Sequence, residues 1–248
     1  MLCSDRNQPS TPCEGCHAGC CRSFAIPLSG VDVMRLEAAG HTFWEFACRW
    51  ADESGQIAGR YAPHVHFADD PQTPFVLGLL HDASAVFPGT PKCRFLQEGL
   101  PSDEAPLGVG RCGVYADRPA ACRVFPKKLD ARGELVQLQP IPPRGTDRPE
   151  EVFTLCPRPW TSADIDPIET PGEIAAADYE MRFFSRVVQM WNRDPGEWVD
   201  FPDFLRGVYL NRVRDVEAEP APVILPFRRP EETTTPVVPS YTPARKAA

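Results

Sequence analysis

The most regular pattern of apolar positions lies late in the chain. Ile174, Ala177, Met181, Phe184, Val188 and Trp191 recur at steps of three and four, which draws one apolar stripe along a helix of about 20 residues. Pro195 and Gly196 end it. Phe204, Val208 and Val213 predict a further helix from about Phe201 to Val216. Earlier, Ser29 reads as an N-cap, Val31, Val33, Met34 and Leu36 as an apolar face, and Gly40 as a C-cap. A second helix is predicted over Thr42 to Trp50, from Phe43, Phe46 and Ala47, and it would make Cys48 a core thiol. The apolar run Phe75 to Leu80 reads as a buried strand, Gly133 to Leu138 alternates like a strand, and Pro27 confines Phe24 to Leu28 to an edge. Residues 52–74 are polar and turn-rich.

These elements predict an α+β fold: one irregular, loop-rich domain organised around a cysteine metal site, with helices at its C-terminal end. Residues 1–12 read as a flexible N-terminus, 13–216 as the domain, and 217–248, with repeated proline and little periodicity, as a disordered tail. The apolar patch Val223 to Phe227 interrupts that tail. With 42% hydrophobic and 24% charged residues the composition is that of a globular protein. A net charge of −8 argues against nucleic acid and anionic membranes as partners. The chain starts with no apolar run and contains no membrane-length apolar stretch, so the expectation is a soluble cytoplasmic protein. In that compartment ten cysteines are not expected to pair as disulfides.

Eight of the ten cysteines lie beside glycine, proline, arginine or another cysteine: Cys13, Cys16, Cys20, Cys21, Cys93, Cys112, Cys122 and Cys156. Four of them fall within nine residues. Thiolates that must converge on one point need backbone freedom of this kind, and a packed core has no use for the spacing. All eight are candidate metal ligands. One tetrahedral zinc or one cubane cluster takes four, so eight suffice for two sites, or for one site with spare thiols. The adjacent pair Cys20–Cys21 favours two sites or a multi-iron cluster, because neighbouring residues do not easily aim both side chains at one ion. An iron–sulfur cluster is preferred to zinc, and a cytosolic thiol switch is the third reading. Asp117 is the expected cap of a short helix carrying Cys122, with Arg118 and Arg123 offsetting thiolate charge. His17 reads as a residue that supports the ligands or faces solvent, His64 and His66 as surface histidines, and Asp69–Asp70 as a solvated turn. No phosphate-binding glycine loop and no nucleophile elbow is present.

The run Cys13-x2-Cys16-x3-Cys20-Cys21, then Cys93-x-Phe-Leu, then Cys112-x-Val-Tyr-x2-Arg118-Pro119-x2-Cys122-Arg123-x-Phe-Pro126, then Cys156-Pro157, resembles the YkgJ-type cysteine-cluster family, also called the CxxCxxCC zinc- or iron-chelating domain. The resemblance covers roughly residues 13–157. It implies metal held by the eight cysteines. The first motif departs from the family in having three residues between its second and third cysteines. Flagellin lysine methylases are relatives in that family; no methyl-donor motif stands out here, and that activity is not carried over.

Overall fold

The computed structural model describes residues 16–55, 57–58, 61–103, 105, 108–130, 132, 134–138 and 161–218. Cys3, Cys13, Cys156 and the tail beyond residue 218 lie outside these. The described residues form helices α1 (Cys20–Ser23), α2 (Gly30–Ala38), α3 (Phe43–Phe46), α4 (Ala120–Val124), α5 (Glu169–Trp191) and α6 (Phe201–Ala218). Nine short strands accompany them: β1 (Ala47–Ala51), β2 (Val65–Phe67), β3 (Asp70–Leu79), β4 (His81–Ala83), β5 (Pro91–Cys93), β6 (Leu96–Glu98), β7 (Gly110–Cys112), β8 (Lys127–Leu129) and β9 (Val136–Leu138). The result is α+β. One antiparallel sheet has the order β1-β3-β2, and β4-β5, β6-β7 and β8-β9 are separate two-stranded ladders. Among the described residues no helix is long and apolar enough to cross a membrane.

Local chemistry accounts for α2. The Ser29 N–H and hydroxyl both donate to Asp32, a capping box. At the other end Gly40 takes φ +95°; its N–H donates to the Glu37 carbonyl and that of His41 to the Leu36 carbonyl, the paired bonds of a Schellman end. The expected helix over 42–50 stops after one turn. Its second half is strand β1, because Ala47–Ala51 pairs residue for residue with Phe75–Leu79 of β3. Gly78 makes the pairing possible: a Cβ there would press within 3 Å of the Trp50 ring. Cys48 therefore sits half-buried on a strand, not on a helix. The stretch expected to be turns also contains β2 and the start of β3.

The core lies between the three-stranded sheet and α2, α5 and α6. Phe43, Phe46, Phe67, Phe184 and Phe201 are fully buried in it. Phe67 meets Phe75, Trp191, Trp198 and Phe201 at centroid distances of 5.2–6.1 Å, mostly edge-on. The Arg49 guanidinium lies over Phe67 and Phe75 and pairs with Asp69 at 2.8 Å, and Asp69 also accepts the Trp198 N–H. Asp69 thus lies in an exposed turn, as expected, and also clamps the sheet to the C-terminal helices. Two bidentate pairs fix α6: Arg206 with Glu37 of α2, and Arg212 with Glu180 of α5.

A buried ion pair joins α1 to the small ladders. Arg22 pairs with Glu98 at 2.6 Å, their side chains 2% and 5% exposed. Ser84 accepts from Arg22 and donates to Glu98, while the Ala85 N–H donates to the other carboxylate oxygen. Burial alone would raise the Glu98 carboxyl, but these donors hold it below its ordinary value. Removing one charge would strand the other in a dry site. Glu98→Gln is expected to destabilise the fold by about 3–5 kcal/mol in denaturant unfolding, and the double variant Arg22→Met/Glu98→Leu to recover most of it. A loss below 1 kcal/mol, the typical worth of an exposed pair, would show that water screens the pair.

Candidate metal centre

Six of the eight candidate ligands lie in the described residues, each delivered by a different local device. Cys16 precedes Ala18, which holds the left-handed φ of +60° and so turns the loop back on itself. Gly110 donates its N–H to the Cys16 carbonyl at 2.8 Å. A Cβ at Gly110 would collide with the Ala18 methyl, so only glycine lets the loop lie flat on β7. Cys20 and Cys21 start α1. Cys93 ends β5 opposite His81, and Cys112 ends β7 opposite Leu96. The Gly113 N–H donates to the Phe95 carbonyl and thereby ties the turn after Cys93 to the turn after Cys112.

Cys122 is placed from a distance. The first residue before α4 is Pro119, and no side chain of its own segment caps the helix. The cap comes from Asp32 of α2, whose second oxygen accepts the Ala120 N–H at 2.9 Å and a bond from Arg35. Arg35 also donates to the Arg118 carbonyl. Asp117 is not the cap that the local sequence suggests; sequence spacing cannot reveal a carboxylate 88 residues upstream. Arg123 shapes the backbone here: its guanidinium donates to the Ala116 and Arg118 carbonyls in the turn before α4. Arg118 takes the expected electrostatic part, favouring thiolate at Cys20 and Cys112 while stacking on Tyr115 at 4.1 Å.

The devices bring five sulfurs to one locus. Cys20 Sγ and Cys21 Sγ are 3.9 Å apart. Two thiolates bound to one tetrahedral ion at 2.3 Å stand about 3.8 Å apart, so adjacent residues do reach the spacing of one ion here. Charge on Cys20, Cys93 or Cys122 acts on Cys21; charge on Cys20, Cys93 and Cys112 acts on Cys122. Cys16 is buried beside this locus through its tie to β7, and its Sγ accepts the Ala18 N–H at 3.2 Å. His17 is buried rather than solvent-facing. Cys48 stays apart, its thiol directed at the Gly78 carbonyl at 3.6 Å. Among the described residues no three His, Cys, Asp or Glu side chains stand in ion-holding geometry.

All the thiols of the locus except that of Cys20 are held neutral. Burial pushes Cys93 up to about 11 and raises Cys112, and burial with neighbouring sulfurs raises Cys122 further. In the Cys20–Cys21 pair one proton leaves readily, since the remaining S–H donates to the thiolate; the second is held tightly against two adjacent charges. A soft cation reverses this balance by displacing the protons.

The surroundings suit a metal–thiolate group of net negative charge. Backbone amides two residues on face three of the sulfurs: Ala18 for Cys16, Phe95 for Cys93 and Val114 for Cys112. Arg118 Nε is buried with no hydrogen-bond acceptor, an orphan donor beside Cys20 and Cys112. Soft sulfur donors select zinc, iron–sulfur and copper(I) over hard cations. The residues therefore fit such a group. Asp32, Arg22 with Glu98, and Gly110 position it, and sequence reasoning missed the first three.

Comparison with known proteins agrees with this donor set. No curated protein and no solved structure gives a significant match. The family model CxxCxxCC, described as a putative zinc- or iron-chelating domain, matches residues 12–141, just over half of the chain. The match spans every described cysteine of the locus, and the chain belongs to the CxxCxxCC family of metal-chelating domains.

Proposed function

We propose that this chain is an iron–sulfur protein whose cluster is held by thiolates drawn from Cys13, Cys16, Cys20, Cys21, Cys93, Cys112, Cys122 and Cys156, in the cytoplasm, with a redox or cluster-dependent enzymatic role. The observation that carries the reading is the number of sulfurs sharing one locus. Five described thiols act on one another there, where a single zinc ion takes four. The orphan Arg118 donor and the three amides support an anionic group, since donors to sulfur stabilise added negative charge. Such a cluster supplies one-electron transfer. The chain's own residues orient the thiols through Asp32 and Gly110 and keep water from Cys16 and Cys93. A zinc-bound structural or metal-handling module without catalysis is the second reading. The 3.9 Å separation of Cys20 and Cys21 favours it, being the spacing of two ligands on one ion.

Metal analysis of protein purified without oxygen separates the readings. Iron with acid-labile sulfide is expected, with Cys21→Ser, Cys112→Ser and Cys122→Ser each losing most of it while Cys48→Ser keeps full content. Colourless protein with stoichiometric zinc would select the second reading, and a metal-free reduced chain would refute both.

The raised thiols also set a pH dependence. An unfolded thiol titrates at 9.0, whereas folded Cys93 holds its proton to about 11. The folded metal-free chain therefore binds more protons than the unfolded chain in this window. The Cys93 contribution to stability is complete below pH 9 and is lost as pH rises through 11. Reduced, metal-free protein should lose stability progressively across that window in denaturant titrations. Metal-loaded protein, whose thiols are already deprotonated, should lose far less.

A further inference from the structure

A second site is built from none of the cysteine segments. Ala58, residues 61–64 and helix α5 border an open cleft of ≈ 400 Å³ lined by Ala58, Tyr61, Ala62, His64, Met181 and Ser185, among others. Behind it lies Asp52, its side chain only 2% exposed. The Asp52 carboxylate accepts the N–H groups of Ile57 and Ala58 and pairs with His64 Nε2 at 3.1 Å. Burial alone would raise that carboxyl, but these donors hold it below its ordinary value, so it is ionised at neutral pH. An ionised carboxylate only accepts, so Nε2 carries the hydrogen, and the tautomer that this bond selects has its lone pair on Nδ1. The His64 side chain is 34% exposed at the cleft.

The backbone that carries His64 is fixed as well. Asn192, just past the end of α5, donates to the His64 carbonyl and accepts the His66 N–H, and the Trp191 indole donates to the His66 carbonyl. Ring and main chain are thus both set before any ligand arrives, which lowers the ordering cost of binding. Ser185 spends its hydrogen on the Met181 carbonyl at 2.8 Å. His64 and Ser185 therefore both meet a ligand as acceptors. Ala58, Ala62 and Met181 supply apolar wall.

We propose that this cleft binds a small molecule with an apolar body and one O–H or N–H donor, received by His64 Nδ1 with Asp52 as the residue that fixes the imidazole tautomer. The reading is independent of the metal centre, since none of the described candidate ligands lines the cleft.

The test uses the full chain with NMR-visible methionine methyls and histidine rings, and the probes benzyl alcohol, benzylamine and toluene. Benzyl alcohol or benzylamine should shift the Met181 methyl and the His64 ring together and saturably. The better of the two should bind about tenfold more tightly than toluene, the worth of one hydrogen bond. Which one wins tells hydroxyl from ammonium. In His64→Leu the advantage over toluene should vanish while toluene still shifts Met181. The contrast between probes in the unaltered protein decides the matter even if that variant fails to fold. Equal binding of toluene and both donors, or no saturable shift of Met181 with any probe, would overturn the proposal.

Discussion

Water scarcely reaches the contact between Arg22 and Glu98, and the thiol locus depends on it. Arg22 directly follows Cys21, and Glu98 sits two residues after Leu96, the partner of Cys112 across β6–β7. One ion pair thereby fixes α1 against the ladders that carry Cys93 and Cys112. The segments involved are three or four residues long and bury little apolar surface of their own. A hydrophobic contact would hold them together without choosing a register. A guanidinium that must meet both a carboxylate and the Ser84 hydroxyl admits few arrangements, and its failure leaves a charge without solvent.

The C-terminal helices solve a different problem. They bury a large aromatic cluster against the sheet and need no metal to do so. Arg49, Asp69 and Trp198 join that cluster to β1, and Arg206 and Arg212 join α6 to α2 and α5. The frame meets the metal locus through Asp32, one carboxylate that begins α2 and also caps α4. Binding of metal at Cys122 is linked through it to the position of α2.

What the sequence disclosed follows from the range of the forces involved. Helices α5 and α6 were legible because a 3.6-residue apolar period reports burial directly, and the cysteines because thiols crowded beside glycine have few other uses. The ends of α2 were legible because Ser29 and Gly40 act on their own helix. The turn from α3 into β1 was not, since Phe43 to Trp50 fits a helix equally well until Phe75–Leu79 offers its edge. The cap of α4, the fold of Arg123 onto the Ala116 and Arg118 carbonyls, and the Asp52–His64 contact were hidden for one reason. Each pairs a side chain with a group its neighbours in sequence do not announce. For the neighbouring cysteines 20 and 21, sequence alone did not disclose that the first turn of α1 brings their sulfurs to 3.9 Å.

The amides that face Cys16, Cys93 and Cys112 belong to the main chain, so ordinary side-chain replacement at Ala18, Phe95 or Val114 leaves them in place. The charge on the sulfurs is thus insulated from most mutational drift. Proline is the exception, because it alone deletes the hydrogen. At Phe95 or Val114 it would take one donor from a sulfur while sparing every thiol. At Ala18 it could not adopt the +60° torsion at all, and the loop bearing Cys16 would have to leave β7.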